Sequence, residues 1–188
     1  MLEVTSATLA QKKSRLLEII KQKSILKGTF KLASGGTSDY YLDMRLTTFD
    51  AEGASLVGDL VYGMLADDDD VDAVGGLELG AVPITIAVCM ASLAKRPLAG
   101  FVVRKETKGH GTDQKIDGNF RPGSTVALLE DVTTKGGSVM QAVRAVRARG
   151  ARIKKIVTLV DRLEGAAENL TREGLDLEAL FTVRDLRG

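Results

Sequence analysis

The sequence has little of what metal centres and disulfide frameworks are made from: one cysteine, Cys89, and one histidine, His110, in 188 residues. A lone cysteine closes no internal disulfide, and without a cluster of His and Cys there is no ordinary zinc site. An excess of one charge is missing too. Lys and Arg number 26 against 25 Asp and Glu, a formal net charge of +1, which gives no support to a general nucleic-acid binder with its basic excess. No apolar run is long enough to cross a bilayer, and the opening "MLEVTSATLAQKKSRLLEIIKQK" lacks the continuous apolar segment of a signal peptide. A cytoplasmic protein without a membrane partner is therefore expected. The phosphate-binding patterns GxxxxGK[ST] and GxGxxG are absent, as are sequence repeats and Pro/Ser-rich linkers.

What is present is the composition of an ordinary globular chain, 44% apolar and 27% charged, long enough for one sizeable core. One domain spanning 1–188 is expected. Short β-rich runs alternate with helical patterns, which argues for βαβ units: an α/β fold with a central, mainly parallel sheet flanked by helices. An opening helix at about 6–23 leads into "ILKGTFKLASGGTSDYYLDMR", two strand-like segments around a Gly-rich turn. Asp50 is placed to cap the next helix, whose Leu56, Val57, Leu60, Val61, Met64 and Leu65 recur at helical spacing. The run "DDDD" at 67–70 reads as a solvated loop and not as a cation site. A strand near "VDAVGGL", a helix at about 82–95 and a strand "LAGFVVR" follow, with Cys89 a plain core residue. A long polar loop then runs to about residue 119, of a length typical of lids and binding loops. "RPGS" turns the chain into a further strand; Val139, Met140, Val143 and Val146 line a helix that Gly150 closes, and "IKKIVTLVDR" begins another strand.

Chemistry concentrates where strands end, as expected for open α/β sheets. In "ALLEDVTTKGGSV" an apolar run ends in Glu130 and Asp131 and passes at once into a Thr, Lys, Gly and Ser turn. Such a turn, followed by a helix N-terminus, directs backbone N–H groups at an anion, and phosphate is the natural guest. Carboxylates beside a phosphate cradle make sense if they face the hydroxyls of a sugar that bears the phosphate. A ribose 5-phosphate group presents both surfaces; the plain alternative is an acidic strand end before a Gly turn. In "VVRKETKGHGTDQK", Arg104, Lys105, Lys108 and His110 crowd a loop able to close over a polyanion, or simply to stay a solvated basic loop. "GGLELGAVP" is a third strand-to-helix passage, either an anion turn or a tight βα connection. Arg162 in "LVDRLEGA" follows a strand and reads either as a partner for a carboxylate or carbonyl or as a surface arginine.

These motifs together resemble the type I phosphoribosyltransferases and, within them, the orotate phosphoribosyltransferases. "LLEDVTTKGGS" is similar to the family's phosphoribosyl pyrophosphate (PRPP) signature, and "RKETKGHG" to the mobile catalytic loop of the orotate enzymes; "LASGGTSDYYLD" and "VDRLEGA" also fit. The resemblance covers nearly the whole chain and implies a type I phosphoribosyltransferase fold with an N-terminal helix and small hood (about 1–48) and a mobile loop (about 104–119). It implies Mg2+-dependent transfer of phosphoribosyl from PRPP to orotate in de novo pyrimidine biosynthesis, by a homodimer whose loop reaches the partner's site. By residue, it implies that Glu130 and Asp131 hold the ribose hydroxyls while Val132, Thr133, Thr134, Lys135, Gly136, Gly137 and Ser138 wrap the 5-phosphate. Arg104, Lys105, Lys108 and His110 engage the diphosphate, with Lys108 carrying the largest effect on rate. Thr134, Arg162, Tyr41 and Leu42 take orotate, and Glu78, Leu79, Gly80 and Ala81 form the diphosphate turn. Magnesium rides mainly on the substrate's own oxygens, with no direct protein ligand. Many bacterial members carry lysine where this chain has Ala33, and Tyr-Lys where it has Leu79 and Gly80. These positions are read as variants that leave backbone N–H groups to act in the 75–81 turn. A transferase for another base, and a regulator that senses PRPP and binds nucleic acid, are the competing readings.

Overall fold

In the computed structural model, which describes residues 7–31, 37–106 and 115–187 (side chains of 31 and 38 excepted), helix α1 spans Leu9–Ile19. Thr8 begins it with a reciprocal capping box: its hydroxyl accepts from the Gln11 N–H while Gln11 accepts from the Thr8 N–H. A π-helical turn, Ile20–Ser24, carries the chain into a hairpin of β1 (Ile25–Lys31) and β2 (Thr37–Leu42), which forms its own two-stranded antiparallel sheet. Buried Ser24 and Thr47 fix the foot of that hairpin with a 2.7 Å hydroxyl–hydroxyl hydrogen bond to the short helix α2 (Arg45–Thr48).

Asp50 caps α3 (Ala51–Met64) as expected, accepting from the Gly53 N–H at 3.0 Å, and Leu56, Val57, Leu60, Val61 and Leu65 are all buried. The remaining elements are β3 (Ala73–Leu77), α4 (Ala81–Ser92), β4 (Ala99–Val103), β5 (Ile116–Gly118), β6 (Thr125–Thr133), α5 (Gly137–Arg147), β7 (Arg152–Asp161), α6 (Ala166–Thr171), β8 (Leu177–Thr182) and α7 (Val183–Arg187). They build a six-stranded sheet of order β5-β4-β3-β6-β7-β8, parallel except for β5. One face packs on α1, α3 and α4 through residues such as Leu16, Leu56, Ile84 and Leu159; the other packs on α5 through Val139, Val143 and Val146. Ala142 completes that stripe, and Met140, expected in it, is only partly buried. Cys89 is likewise half-buried against the first core, and burial raises its thiol pKa.

Two expectations need correction. The polar stretch after β4 is not all loop, because β5 returns antiparallel along β4, pairing Val102 with Asp117 and Val103 with Ile116. The acidic run is not solvated throughout. Asp68 lies 2.8 Å from the Lys155 Nζ and 3.7 Å from that of Lys154, and Asp70 pairs with Lys154 at 3.0 Å and Arg152 at 2.6 Å. These pairs grip the start of β7 where its register with β6 slips by one residue, Val126 opposing Ile153 but Ala127 opposing Lys155. The basic run "RIKK" is the partner that a reading of the aspartates by themselves leaves out.

The β3 sequence "AVGGL" is buried throughout, and its glycines allow close packing. A Cβ on Gly76 would collide with the Leu129 carbonyl oxygen and lie 2.7 Å from the Ala81 Cβ. Gly76→Ala is therefore expected to destabilise the fold by about 2 kcal/mol, as overpacking does. Urea denaturation measures it, and an unchanged midpoint would show that the strands yield freely.

Candidate functional site

The chain leaves β3 toward β4 on one side and leaves β6 toward β7 on the other, so the connections diverge between β3 and β6. That is the topological switch point where open α/β sheets bind ligands. The ladders show how the gap opens. Pairing between β3 and β6 ends at Gly75 with Leu128, whereas β3–β4 continues to Leu77 with Val103 and β6–β7 to Thr133 with Asp161.

A cleft of about 220 Å³ occupies this position. Its lining takes Leu77, Glu78, Leu79 and Gly80 from the turn after β3, Lys105 from beyond β4, Glu130 and Asp131 from β6, and Ser138 from the first turn of α5. Tyr41 and Leu42 close it from the hairpin. A larger cavity, about 480 Å³, lies between Asp72, Pro97, Asn119 and Ser124 at the opposite, amino end of the strands, remote from these groups.

The two helices that start at the cleft lack side-chain caps, as do the short helices α2 and α6. Thr8 and Asp50 cap α1 and α3 with side chains, but α4 starts at Gly80 and α5 at Gly136 with no side-chain cap. First-turn N–H groups left without a protein acceptor are what an anion needs. Gly136 takes φ 82°, a left-handed conformation natural to glycine, and the Asn169 amide holds the turn by donating to the Lys135 carbonyl at 2.9 Å. Thr134 and Lys135 are exposed on this turn, Thr133 is buried and Val132 half-buried.

Glu130 is 6% exposed and accepts from the Asp131 N–H at 3.2 Å, while Asp131 accepts from the Val132 N–H at 2.8 Å. Burial first, and then the adjacent Asp131 charge, push Glu130 up to about 9, so it holds a proton at neutral pH. Two arginines sit at strand ends with donors to spare. The buried Nε of Arg162 has no hydrogen-bond acceptor among the described residues; Glu164 lies 2.9 Å away but off the N–H direction, an ion pair and not a hydrogen bond. Its guanidinium stacks 5.2 Å from the Tyr40 ring. Arg104 likewise has a buried Nε without an acceptor, and reaches Asp117 at 3.4 Å.

Of the residues singled out from sequence, the cleft brings together Tyr41, Leu42, Glu78, Leu79, Gly80, Lys105, Glu130, Asp131 and Ser138. Ala81, Arg104, Val132, Thr133, Thr134, Lys135, Gly136, Gly137 and Arg162 are not among its lining residues, and Lys108, His110 and Ala33 lie outside the described residues. Three residues were missed. Asp43 and Arg45 line the cleft as an ion pair, signalled only by "LDMR" directly after a strand. Buried Asp161 accepts from the Thr133 hydroxyl at 3.2 Å and the Leu163 N–H at 2.9 Å, tying the turn after β6 to the segment that carries Arg162.

A mainly parallel sheet with an acidic strand end and an uncapped helix at its switch point, under an N-terminal hairpin, is the type I phosphoribosyltransferase arrangement. No family model matches the chain. It is 44% identical over 178 residues to an orotate phosphoribosyltransferase of Bradyrhizobium, covering 92% of this chain and 96% of that one. It is 43% identical over 177 residues to an orotate phosphoribosyltransferase of Methanocaldococcus jannaschii, covering 94% and 97%. The Mycobacterium tuberculosis orotate phosphoribosyltransferase, solved in complex with PRPP, superposes with a TM-score of 0.81 at 34% identity over 94% of this chain and 99% of that one. The chain belongs to the orotate phosphoribosyltransferase family, enzymes of pentosyl transfer. No helix among the described residues is long and apolar enough to cross a membrane.

The Glu130 environment gives a pH signature. A carboxyl raised from 4.5 to about 9 on folding contributes stability that is intact below the unfolded value and is lost as pH rises toward and through 9. Glu130→Gln, which cannot ionise, should gain on the wild type as pH rises from about 5 to 9 in urea denaturation. Parallel stability curves would show that Glu130 ionises freely in the folded state.

Proposed function

We propose that the chain transfers the phosphoribosyl group of PRPP to orotate with the help of Mg2+, giving orotidine 5'-monophosphate and diphosphate in de novo pyrimidine synthesis. The observation that carries this reading is the meeting of an acidic pair and two uncapped helix N-termini in one cleft at the switch point. A sugar phosphate satisfies both: its hydroxyls face the carboxyls, and its 5-phosphate takes the N–H groups of the 133–138 turn. Orotate is the base whose carboxylate suits the guanidinium of Arg162, whose buried Nε lacks a hydrogen-bond acceptor among the described residues, with Tyr41, Leu42 and Thr134 toward the ring.

In the reaction the bond between the anomeric carbon and diphosphate breaks as the orotate nitrogen bonds to that carbon, and the proton which that nitrogen carried passes to the departing diphosphate or to solvent. Diphosphate leaves with the bonding electron pair, and the ribosyl group passes through oxocarbenium character. Arg104, Lys105, Lys108 and His110 would stabilise charge on the departing diphosphate, together with the N–H groups of the turn beyond Glu78, whose own N–H donates to the Val103 carbonyl. Magnesium would be held mainly by the oxygens of the substrate, the described residues offering no cluster of three or more acidic, His or Cys side chains able to hold a metal ion. When bound, the metal would neutralise charge on the diphosphate. Protonated Glu130 both donates to and accepts from a ribose hydroxyl, whereas a carboxylate only accepts.

A homodimer belongs to the same reading. Ile86, Met90 and Leu93 follow one another along the outer face of α4 at 57%, 73% and 74% exposure, with Leu79 at 52% just before them. An apolar stripe of this kind is suited to a second copy of the chain. Ile86→Lys with Met90→Glu should convert a dimer to a monomer in sedimentation equilibrium; a wild type already monomeric, or a variant still dimeric, would remove this face from the assembly.

The direct assay follows loss of orotate absorbance with PRPP and magnesium, against a purine panel. Asp131→Asn is expected to lower kcat/KM for PRPP by tenfold or more, about 1.4 kcal/mol, without lowering the melting temperature. Unchanged PRPP kinetics in that variant would remove Asp131 from the ribose contact, and consumption of a purine in place of orotate would reassign the base.

A further inference from the structure

We infer that Arg45, at the start of α2, is a further substrate-binding residue that meets the diphosphate of PRPP from the hairpin side of the cleft. The inference rests on the transfer reading above and adds a contact to it. It begins with the charge balance. The cleft is lined by four carboxyl groups, Asp43, Glu78, Glu130 and Asp131, and among its lining residues only Arg45 and Lys105 are cationic. A diphosphate entering such a space needs positive charge close by.

The turn after β3 offers no cationic side chain, since 78–81 reads Glu, Leu, Gly and Ala. A side chain at position 80 would also crowd the Asp131 carboxylate in this arrangement. A Cβ there would fall 2.5 Å from the Asp131 Cγ and 2.6 Å from both its carboxylate oxygens. The turn therefore presents backbone N–H groups alone, and a side-chain cation must come from across the cleft.

Arg45 is built to supply it. Its Nε and Nη2 each donate to Asp43 at 2.8 Å, and Asp43 also accepts the Arg45 backbone N–H at 3.1 Å. This fork-to-fork pair occupies one edge of the guanidinium and fixes its plane. The Nη1 edge has no acceptor among the described residues, and the side chain remains 48% exposed. Asp43 chiefly, and then Tyr41 and Asp131, hold the Arg45 proton more firmly than usual, which places its charge within the field of the cleft. The competing guest, the orotate carboxylate, already has Arg162 with its unsatisfied Nε at the end of β7. Arg45 instead shares its cleft with the diphosphate turn and the acidic pair.

The test uses Arg45→Gln, Asp43→Asn and the double variant, each confirmed folded by its melting curve. Inorganic diphosphate with magnesium is titrated by calorimetry, and KM is measured separately for PRPP and orotate. Arg45→Gln should weaken diphosphate binding and raise the PRPP KM by about tenfold, while the orotate KM stays within about twofold. Asp43→Asn, which keeps the cation and removes its counter-charge, should bind diphosphate at least as tightly as wild type. The double variant should remain as weak as Arg45→Gln. Recovery of wild-type binding in the double variant would overturn the inference, because Arg45 would then only neutralise Asp43. An orotate-specific defect, or no defect, would overturn it as well. A wild type that binds diphosphate but consumes no orotate would count against the transfer reading, while the calorimetric series would still decide the role of Arg45.

Discussion

The structure depends on how β3 and β6 pair and then part. They lie side by side through Gly75 and Leu128, packed closely enough that a side chain at Gly76 has no room, and each then follows its other neighbour. The parting turns a continuous sheet edge into a cleft without any insertion. Backbone hydrogen bonds that would have joined the strands are replaced by the outward turns of 78–80 and 133–138. Because parallel strands with crossover helices bury both sheet faces, α4 and α5 are carried to opposite sides while both N-termini stay at the same edge.

Electrostatics at that edge follow from burial. Glu130 ends an apolar strand and sits among groups that exclude water, so its charge is suppressed, while Asp131, one residue on, is half-exposed at the cleft. Alternation along the strand thus separates two like side chains into different environments. The helix starts at that edge, Gly80 and Gly136, carry no capping side chain, whereas Thr8 and Asp50 complete α1 and α3; α6, which does not line the cleft, also starts at a glycine, Gly165. Asp161 lies between these arrangements, holding the end of β6 and the loop after β7 in fixed relation.

Much of this was legible in the sequence. Asp50 announced α3, the apolar spacing announced its buried face, and the passage from "LLED" to "TTKGGS" marked a strand that runs into a glycine turn and a helix start, because local chemistry suffices there. What stayed hidden depended on partners distant along the chain. Asp68 and Asp70 looked solvated because Arg152, Lys154 and Lys155 are more than eighty residues away. The strand β5 was missed because three residues carry no periodicity, and only the open edge of β4 makes them a strand. Arg45 and Asp43 drew no reading of their own, because only the placement of the hairpin over the switch point brings them to the cleft.

The close approach of Gly80 to the Asp131 carboxylate has a consequence for substitution. A side chain introduced at position 80 would have to turn that carboxylate aside, since its Cβ would fall 2.5 Å from the Asp131 Cγ. The carboxylate is the free end of a rotatable side chain, so the two positions are coupled without position 80 being closed: what stands at 80 sets where Asp131 points.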